Sequence, residues 1–474
     1  MNYHPDFDRP IANPIADPED FVIHPDMKPT DPEQKPGWKL KDIYPEIADF
    51  RRIPTSLFTD PAYAKTEWDK VWTRTWLLAC HVSDLKNVGD WYRYDIGRES
   101  IIVTRTAAGI KAHYNVCRHR AAQLVIGDFG RNAKAFTCPY HGWRFGIDGK
   151  NEKISDPGSF PDETLCDGAD LVSVHADVAI GFVFVHLGEK PEPLADYLGD
   201  VTKFMANYKL EDMIIAKDAQ IEIKANWKAA LEPFQEVYHA QATHPQTKPL
   251  HEDYYVQYDF YPNGHNRMIV ALGQVSHRLA DRETVDPSLA YMLRDAGISD
   301  EDMPKNAQEA YDALVKAKRR PDNVFGIDYS RYSDGQLNDD WNVSLFPNIT
   351  FNTHPEGVLV MRFRPHPEDV NRMFYDVQVL VPKLAEGKRP PVYMGVEDSV
   401  DISGKVRPPR LYLTLKDTLG EVLDQDKANL ERVQRGIHSK GMGGVIRLGE
   451  QERRNQQFYA EMNRYVTDKK QTTG

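Results

Sequence analysis

Residues 115–149 read NVCRHRAAQLVIGDFGRNAKAFTCPYHGWRFGIDG. This stretch holds Cys117-Arg118-His119, then eighteen residues, then Cys138-Pro139-Tyr140-His141-Gly142-Trp143. Each half offers one thiolate and one imidazole from a tight turn. A β-fold that brings the two turns together therefore presents two cysteines and two histidines. That set suits a [2Fe–2S] cluster in which Cys117 and Cys138 bind one iron and His119 and His141 the other, a mixed ligation that raises the potential above that of an all-thiolate cluster. Tetrahedral zinc accepts the same donor types. Zinc fingers, however, pair cysteine with cysteine and histidine with histidine along the chain, whereas here each turn contributes one of each. Cys80 and Cys166 lack such neighbours and read as ordinary thiols.

Around these turns, between Trp91 and Leu187, short β-branched or aromatic runs (IIVTR, AFTCPY, LVSVHADVAI, GFVFVHL) alternate with turn signals such as Asp148-Gly149. That alternation predicts a small antiparallel β domain. Upstream, Trp68, Val71, Trp72 and Trp76 have helical spacing. The first fifty residues are rich in proline and aspartate and predict an extended arm. After Pro191, helical stretches near 194–208, 226–243, 278–320, 424–438 and 450–467 mix with strands such as GVLVMRFRP and FYDVQVLVP. These predict a larger α+β domain. With 474 residues the chain exceeds one ordinary core, and the expected division is an arm over 1–50, a small all-β domain over 51–190 and an α+β domain over 191–474.

Composition narrows the function. Hydrophobic residues make up 41% of the chain and charged ones 27%, with no apolar run long enough to span a bilayer. A net charge of −12 argues against nucleic acid as a partner. Four cysteines are too few for a disulfide scaffold, and the start, MNYHPDFDRPIANP, has no basic-then-apolar leader, so a cytoplasmic location is expected.

A second constellation lies in NWKAALEPFQEVYHAQATHP, residues 226–245, where Glu236, His239 and His244 fall together on or at the end of an expected helix. Were the helix continuous, Glu236 and His239 would share a face, and His244 would come round where the chain bends before Pro245. Two histidines with one carboxylate on a face of an octahedron form the non-haem Fe(II) arrangement that leaves positions open for dioxygen and substrate. The carboxylate can come from far along the chain.

Taken with both motifs in the same order, these residues resemble the large subunit of Rieske non-haem iron ring-hydroxylating oxygenases, from about Thr55 to the C-terminus. WTRTWLLACHVSDLKNVGDW resembles the entry to that family's Rieske domain and GFVFVHL its last strand, while NWK, YH and THP resemble its run around the iron histidines. The family's aspartate standing eight residues before a glutamine is matched by Asp426 and Gln434, which selects Asp426 over Asp424 as third iron ligand. The resemblance implies a helix-grip, START-like catalytic domain with an antiparallel sheet flanked by helices, a mononuclear Fe(II) on His239, His244 and Asp426, and a head-to-tail homotrimer, with a small β-subunit left open. It also implies that Glu236, standing where aspartate is more usual, bridges a cluster histidine of the neighbouring subunit, His141, to His239.

No dinucleotide fingerprint follows a strand, so a separate ferredoxin or NAD(P)H-dependent reductase is expected as electron donor. The reaction expected is hydroxylation, with dihydroxylation the leading form, of a small aromatic, polycyclic or other hydrophobic substrate that sits beside the iron with dioxygen behind a wall drawn from Phe234, Leu345, Phe346, Asn348, Phe351 and residues near Val270 and Leu272. Arg362 and Arg364 would serve as a carboxylate clamp only if their strand turned them inward. The competing readings are a monooxygenase or demethylase on the same iron, a non-catalytic Rieske electron carrier, and a zinc-stabilised binding module.

Overall fold

The computed structural model describes residues 39–469, so the arm expected over residues 1–38 lies outside the described residues. Residues 39–50 are not extended, because Leu40–Ile43 and Ile47–Arg51 are helical turns. The chain divides into two compact units. The smaller comprises Lys65–Tyr197 with Lys209–Glu211, and the larger comprises 39–64, Leu198–Tyr208 and 212–469. Residues 51–64, expected with the smaller domain, cluster instead with the larger, where Arg52–Pro54 pairs antiparallel with Val445–Arg447.

The smaller unit is β throughout its core. Its seven-stranded antiparallel sheet runs in the order Leu77–His81, Phe182–His186, Ser173–Ala179, Gly109–Tyr114, Glu99–Thr106, Trp91–Ile96 and Phe129–Gly130. In Trp91–Ile96 burial alternates strictly, as a half-covered strand requires. A separate three-stranded sheet, Ala135–Thr137, Arg144–Gly146 and Asn151–Lys153, carries the second Cys/His turn between its first two strands.

The larger unit is built on an eight-stranded sheet in the order Gln257–Phe260, Asn266–Val270, Asp340–Leu345, Ile349–His354, Gly357–Pro365, Met373–Val381, Ile214–Ile223 and Leu411–Leu413. All neighbours are antiparallel except the last, which pairs parallel. Two long helices accompany it, Glu421–Ile437 and Arg453–Val466. The second is polar in sequence yet buried along most of its length. Its Arg454 explains why: the guanidinium reaches Asn266 Oδ1 (2.5 Å), Asn342 Oδ1 (2.7 Å) and Ser344 Oγ (2.9 Å) on the sheet, and burial pulls its pKa down to about 9.

Strand registers sort the sheet into two faces, since side chains alternate. Asn266, Met268, Asn342, Met361, Phe363, Tyr375 and Val377 lie on one face. Arg267, Val343, Leu345, Phe351, Arg362 and Asp376 lie on the other. The first face packs on the iron-motif segment, with Val237 and Ala240 clustered against Tyr258, Phe260, Met268 and Val270.

Candidate metal centres

The two Cys/His turns share one backbone design. The Cys117 N–H donates to Ala122 O (2.9 Å) and the Ala121 N–H returns to Cys117 O (3.1 Å). In the second turn Cys138 N–H donates to Trp143 O (2.7 Å) and Gly142 N–H to Cys138 O (3.1 Å). Each turn closes through a left-handed residue four places after its cysteine, Ala121 with φ 62° and Gly142 with φ 74°. The bend aims cysteine and histidine the same way, which is why one of each suffices per turn. Tertiary packing then presses the turns together. The His119 and His141 ring centroids are 4.6 Å apart, and Trp143 stacks on His119 at 5.0 Å with the planes 8° apart. Cys117 and Cys138 are buried in one apolar cluster with Leu124, Phe136, Trp143, Phe145 and Leu171.

The donor chemistry fits a two-iron cluster. Nδ1 of His119 and Nδ1 of His141 are both buried with no hydrogen-bond partner among the described residues, an arrangement that costs free energy unless something else takes their lone pairs. Burial pushes the Cys117 thiol up and Cys138 adds to this, while the N–H groups of His119 and Arg120 point at its sulfur and pull it back. Among the described residues, the donor sets that converge within 4.8 Å, close enough for a single ion, do not include this quartet. Its spread suits a cluster wider than one zinc.

One set that does converge is His239, His244 and Asp426. The helix expected over 226–243 is broken. Trp227–Leu231 is helical, with Asn226 Oδ1 capping the Lys228 N–H, and the chain tightens into a short turn over Glu232–Gln235 that carries Pro233, which lacks a backbone N–H, near its start. Glu236 is then fully extended (φ −155°, ψ 162°) before Ala240–Thr243 resumes. Glu236 and His239 therefore meet across a break rather than along a helix face. One Glu236 oxygen accepts from the His239 N–H (2.9 Å) and the other faces His239 Nδ1 (2.8 Å).

His239 Nε2 lies 3.2 Å from His244 Nε2, and Asp426 Oδ1 lies 3.4 Å and 3.0 Å from them. Three donors on adjacent octahedral positions, with bonds of about 2.1 Å, stand about 3 Å apart, so the triangle fits a facial mononuclear iron site. Burial lowers the basicity of His239, but Glu236 and Asp426 more than reverse this and push it up to about 10. Burial raises Asp426, and the two imidazoles bring it below its ordinary value. Asp426 arrives on Glu421–Ile437, and Gln434 of that helix anchors it by accepting from the Asn226 N–H (2.9 Å) and donating to Asn371 Oδ1 (2.9 Å). That contact gives the aspartate-to-glutamine spacing its physical meaning.

Other expectations are redirected. Leu345 and Phe351 lie on the sheet face away from the iron triad and are not part of its wall. Arg362 and Arg364 are on that same far face, paired with buried Asp376 at 3.1 and 2.7 Å, so they form no clamp at the iron. Phe346 packs on Phe458 and Tyr465, and Asn348 donates to Phe363 O. Phe234 does lie on the iron side, 5.3 Å from Phe363 and 5.9 Å from Tyr375.

Sequence reasoning missed three features. Gln425 Oε1 faces His244 Nδ1 at 2.7 Å, and only the tertiary fold brings them together. Lys248, four residues after His244, is 1% exposed, and its Nζ has no hydrogen-bond partner among the described residues. A second convergent set, Glu252, Asp253 and His277, is spent on itself: Glu252 holds His277 Nδ1 (2.6 Å) and Asp253 holds Ser276 and Arg278.

Fold and donor sets define a class, in which a Rieske-type iron–sulfur unit is joined to a helix-and-sheet unit for a mononuclear iron. The family model "Ring hydroxylating alpha subunit (catalytic domain)" matches residues 210–468 and "Rieske [2Fe-2S] domain" matches 75–164. The chain belongs to the ring-hydroxylating alpha-subunit family, whose members carry a Rieske cluster and a mononuclear iron. Curated relatives include the glycine betaine monooxygenase oxygenase subunit of Pseudomonas aeruginosa strain UCBPP-PA14, 29% identical over 202 residues that make up 41% of this chain and 45% of that protein. The carnitine monooxygenase oxygenase subunit of Escherichia coli K12 is 32% identical over 199 residues (41% and 52%), and the anthranilate 1,2-dioxygenase large subunit of Acinetobacter baylyi is 30% identical over 206 (41% and 42%). The match thus spans about half the length of these relatives. In fold, the chain is similar to a quaternary ammonium Rieske monooxygenase (17% identity, TM-score 0.62, 91% of this chain and 99% of that one). It is also similar to naphthalene 1,2-dioxygenase from Rhodococcus sp. (18%, 0.63, 91% and 98%). Among the described residues no helix is long and apolar enough to cross a membrane.

Proposed function

We propose that the chain is the terminal oxygenase component of a Rieske system, drawing electrons from a separate ferredoxin or NAD(P)H-dependent reductase and using dioxygen to hydroxylate a small organic molecule. The observation that carries this reading is the coexistence of the Cys117, His119, Cys138, His141 turns with the convergent His239, His244, Asp426 triangle. When bound, the cluster supplies single electrons and the mononuclear iron a place to activate dioxygen.

The chain's own residues prepare that chemistry. Glu236 and Gln425 occupy the Nδ1 sides of His239 and His244, leaving both Nε2 atoms directed at Asp426. Phe234, Phe363 and Tyr375 close the neighbouring wall and exclude water, and the Tyr375 hydroxyl is near enough to Asp426 for that charge to raise it further above its ordinary range, beyond the effect of burial. A head-to-tail homotrimer is the assembly we propose, checked by mass measurement in solution.

Lys248 favours a substrate bearing a carboxylate. A buried ammonium without a partner is costly, and an anionic group delivered by substrate removes that cost. Betaine, carnitine and anthranilate, named in three relatives, are carboxylates, whereas naphthalene, named in another, is an uncharged hydrocarbon, so the preference for a carboxylate rests on Lys248. The test is reductase-driven oxygen uptake over paired small carboxylates and their uncharged analogues, with ¹⁸O₂ to count the atoms incorporated. Uptake stimulated by the carboxylate members supports the reading, and Lys248→Met should then raise KM about 10- to 100-fold for them, the worth of one charge-assisted bond. Oxygen uptake that no member stimulates, in protein loaded with both metals, overturns it.

A further inference from the structure

We propose that Gln425, held by Gln246, is a positioning residue that fixes the tautomer of His244 and makes it the weaker of two unequal imidazole donors at the mononuclear site. The proposal rests on the reading of His239, His244 and Asp426 as metal donors and goes beyond it.

Gln425 Oε1 lies 2.7 Å from His244 Nδ1 and also accepts from Gln246 Nε2 at 2.8 Å, while Gln425 Nε2 donates back to Gln246 Oε1 at 3.3 Å. An amide oxygen only accepts, so His244 carries its proton on Nδ1 and keeps the Nε2 lone pair free. Turning the Gln425 amide alone would set two NH₂ groups against each other where the 2.8 Å bond now stands. It would also move the imidazole proton to Nε2, facing Asp426 Oδ1 at 3.0 Å, where it would block the donor atom. The reciprocal amide pair therefore holds the metal-ready tautomer, because reversal requires both amides to turn together.

The two histidines are held by different chemistry. His239 Nδ1 faces the Glu236 carboxylate at 2.8 Å, and His244 Nδ1 faces a neutral amide. A carboxylate partner draws the Nδ1 proton more strongly and makes Nε2 the better donor, so the groups behind the ligands render the pair unequal. Gln425 also precedes Asp426 on one helix. A single helical turn thus supplies one donor directly and orients another 181 residues away in sequence.

The test uses the full-length chain with its cluster oxidised and hence diamagnetic, measuring Fe(II) affinity by chelator competition and the near-infrared magnetic circular dichroism of the bound Fe(II). Gln425→Met keeps length and loses the acceptor. It should weaken Fe(II) about 10- to 100-fold and move the ligand-field bands. Gln425→Glu keeps the acceptor and adds charge, and should bind at least as tightly as the unaltered chain with bands moved in the opposite sense. Gln246→Met should show a smaller loss in the same direction as Gln425→Met. Unmoved bands and affinity in Gln425→Met overturn the proposal, as does a Gln425→Glu protein as impaired as Gln425→Met while its cluster absorption is intact, since packing alone would then explain both. Should Gln425→Met not fold, unmoved bands in Gln246→Met overturn it equally. Failure of the unaltered chain to bind Fe(II) overturns the donor assignment itself, and is distinguished by appearing before any substitution.

Discussion

At the two Cys/His turns every proposed cluster donor comes from residues 117–141, while at the proposed iron triangle Asp426 arrives on a helix whose Gln425 stands 181 residues from its partner His244. The first site is made by turn geometry, in two copies of one hydrogen-bonding pattern. The second is made by tertiary structure: a broken helix, an extended Glu236, and a helix tied down through Gln434. A locally built site should fail only when its own residues change. One assembled at a distance should also respond to residues that touch no ligand.

The largest effect that could break this contrast is Cys138→Ser, which should remove the cluster's visible absorption entirely and leave Fe(II) binding at the triangle in place. A retained spectrum would mean that the turns do not hold the cluster. Asp426→Ala should reduce turnover to background with the cluster absorption unchanged, and activity surviving that change would remove Asp426 from the site.

A pH effect comes next. Burial pushes the Glu232 carboxyl up to about 7, from an ordinary 4.5. Between those values the folded chain keeps a proton that the unfolded chain has released, so stability falls as pH rises through the window. Glu232→Gln, which leaves an acceptor for the Tyr459 hydroxyl (2.5 Å), should recover on the order of 3 kcal/mol at about pH 8 and flatten the decline in melting temperature. Part of the decline persists through Glu452, also raised to about 7. A melting profile unaltered by Glu232→Gln would refute this. The smallest effect is Gln434→Leu, which strips the acceptor from the buried Asn226 N–H and should cost about 1–3 kcal/mol. It should loosen Fe(II) without changing the cluster spectrum, and equal damage to both sites would erase the distinction drawn above.

The same contrast explains what could be read from the sequence. The cluster turns, the strands around them and the helices carrying Asp426 and Arg454 announce themselves through local spacing. The sheet faces do not, because Asp340–Leu345, Ile349–His354 and Gly357–Pro365 are buried on both sides and show no alternation, so Leu345 and Phe351 could not be assigned to a face. The helix expected over 226–243 is instead interrupted at the turn holding Pro233, and local spacing did not reveal that Glu236 is extended to hold His239 twice. Gln425 and Lys248 carry no local pattern, since each gains meaning only from what the fold sets beside it or withholds.

Tyr44 illustrates a last consequence. Its hydroxyl is buried against Glu461 Oε2 at 3.0 Å, 417 residues later, and Ile53 pairs with Ile446 in the same unit. During synthesis these early residues leave the ribosome long before the partners that bury them, while the intervening Lys65–Tyr197 unit has its strands in hand. The smaller unit can mature during translation, but the larger cannot finish until Glu461 has been made. A C-terminal fragment expressed alone would therefore lack pieces of its own core.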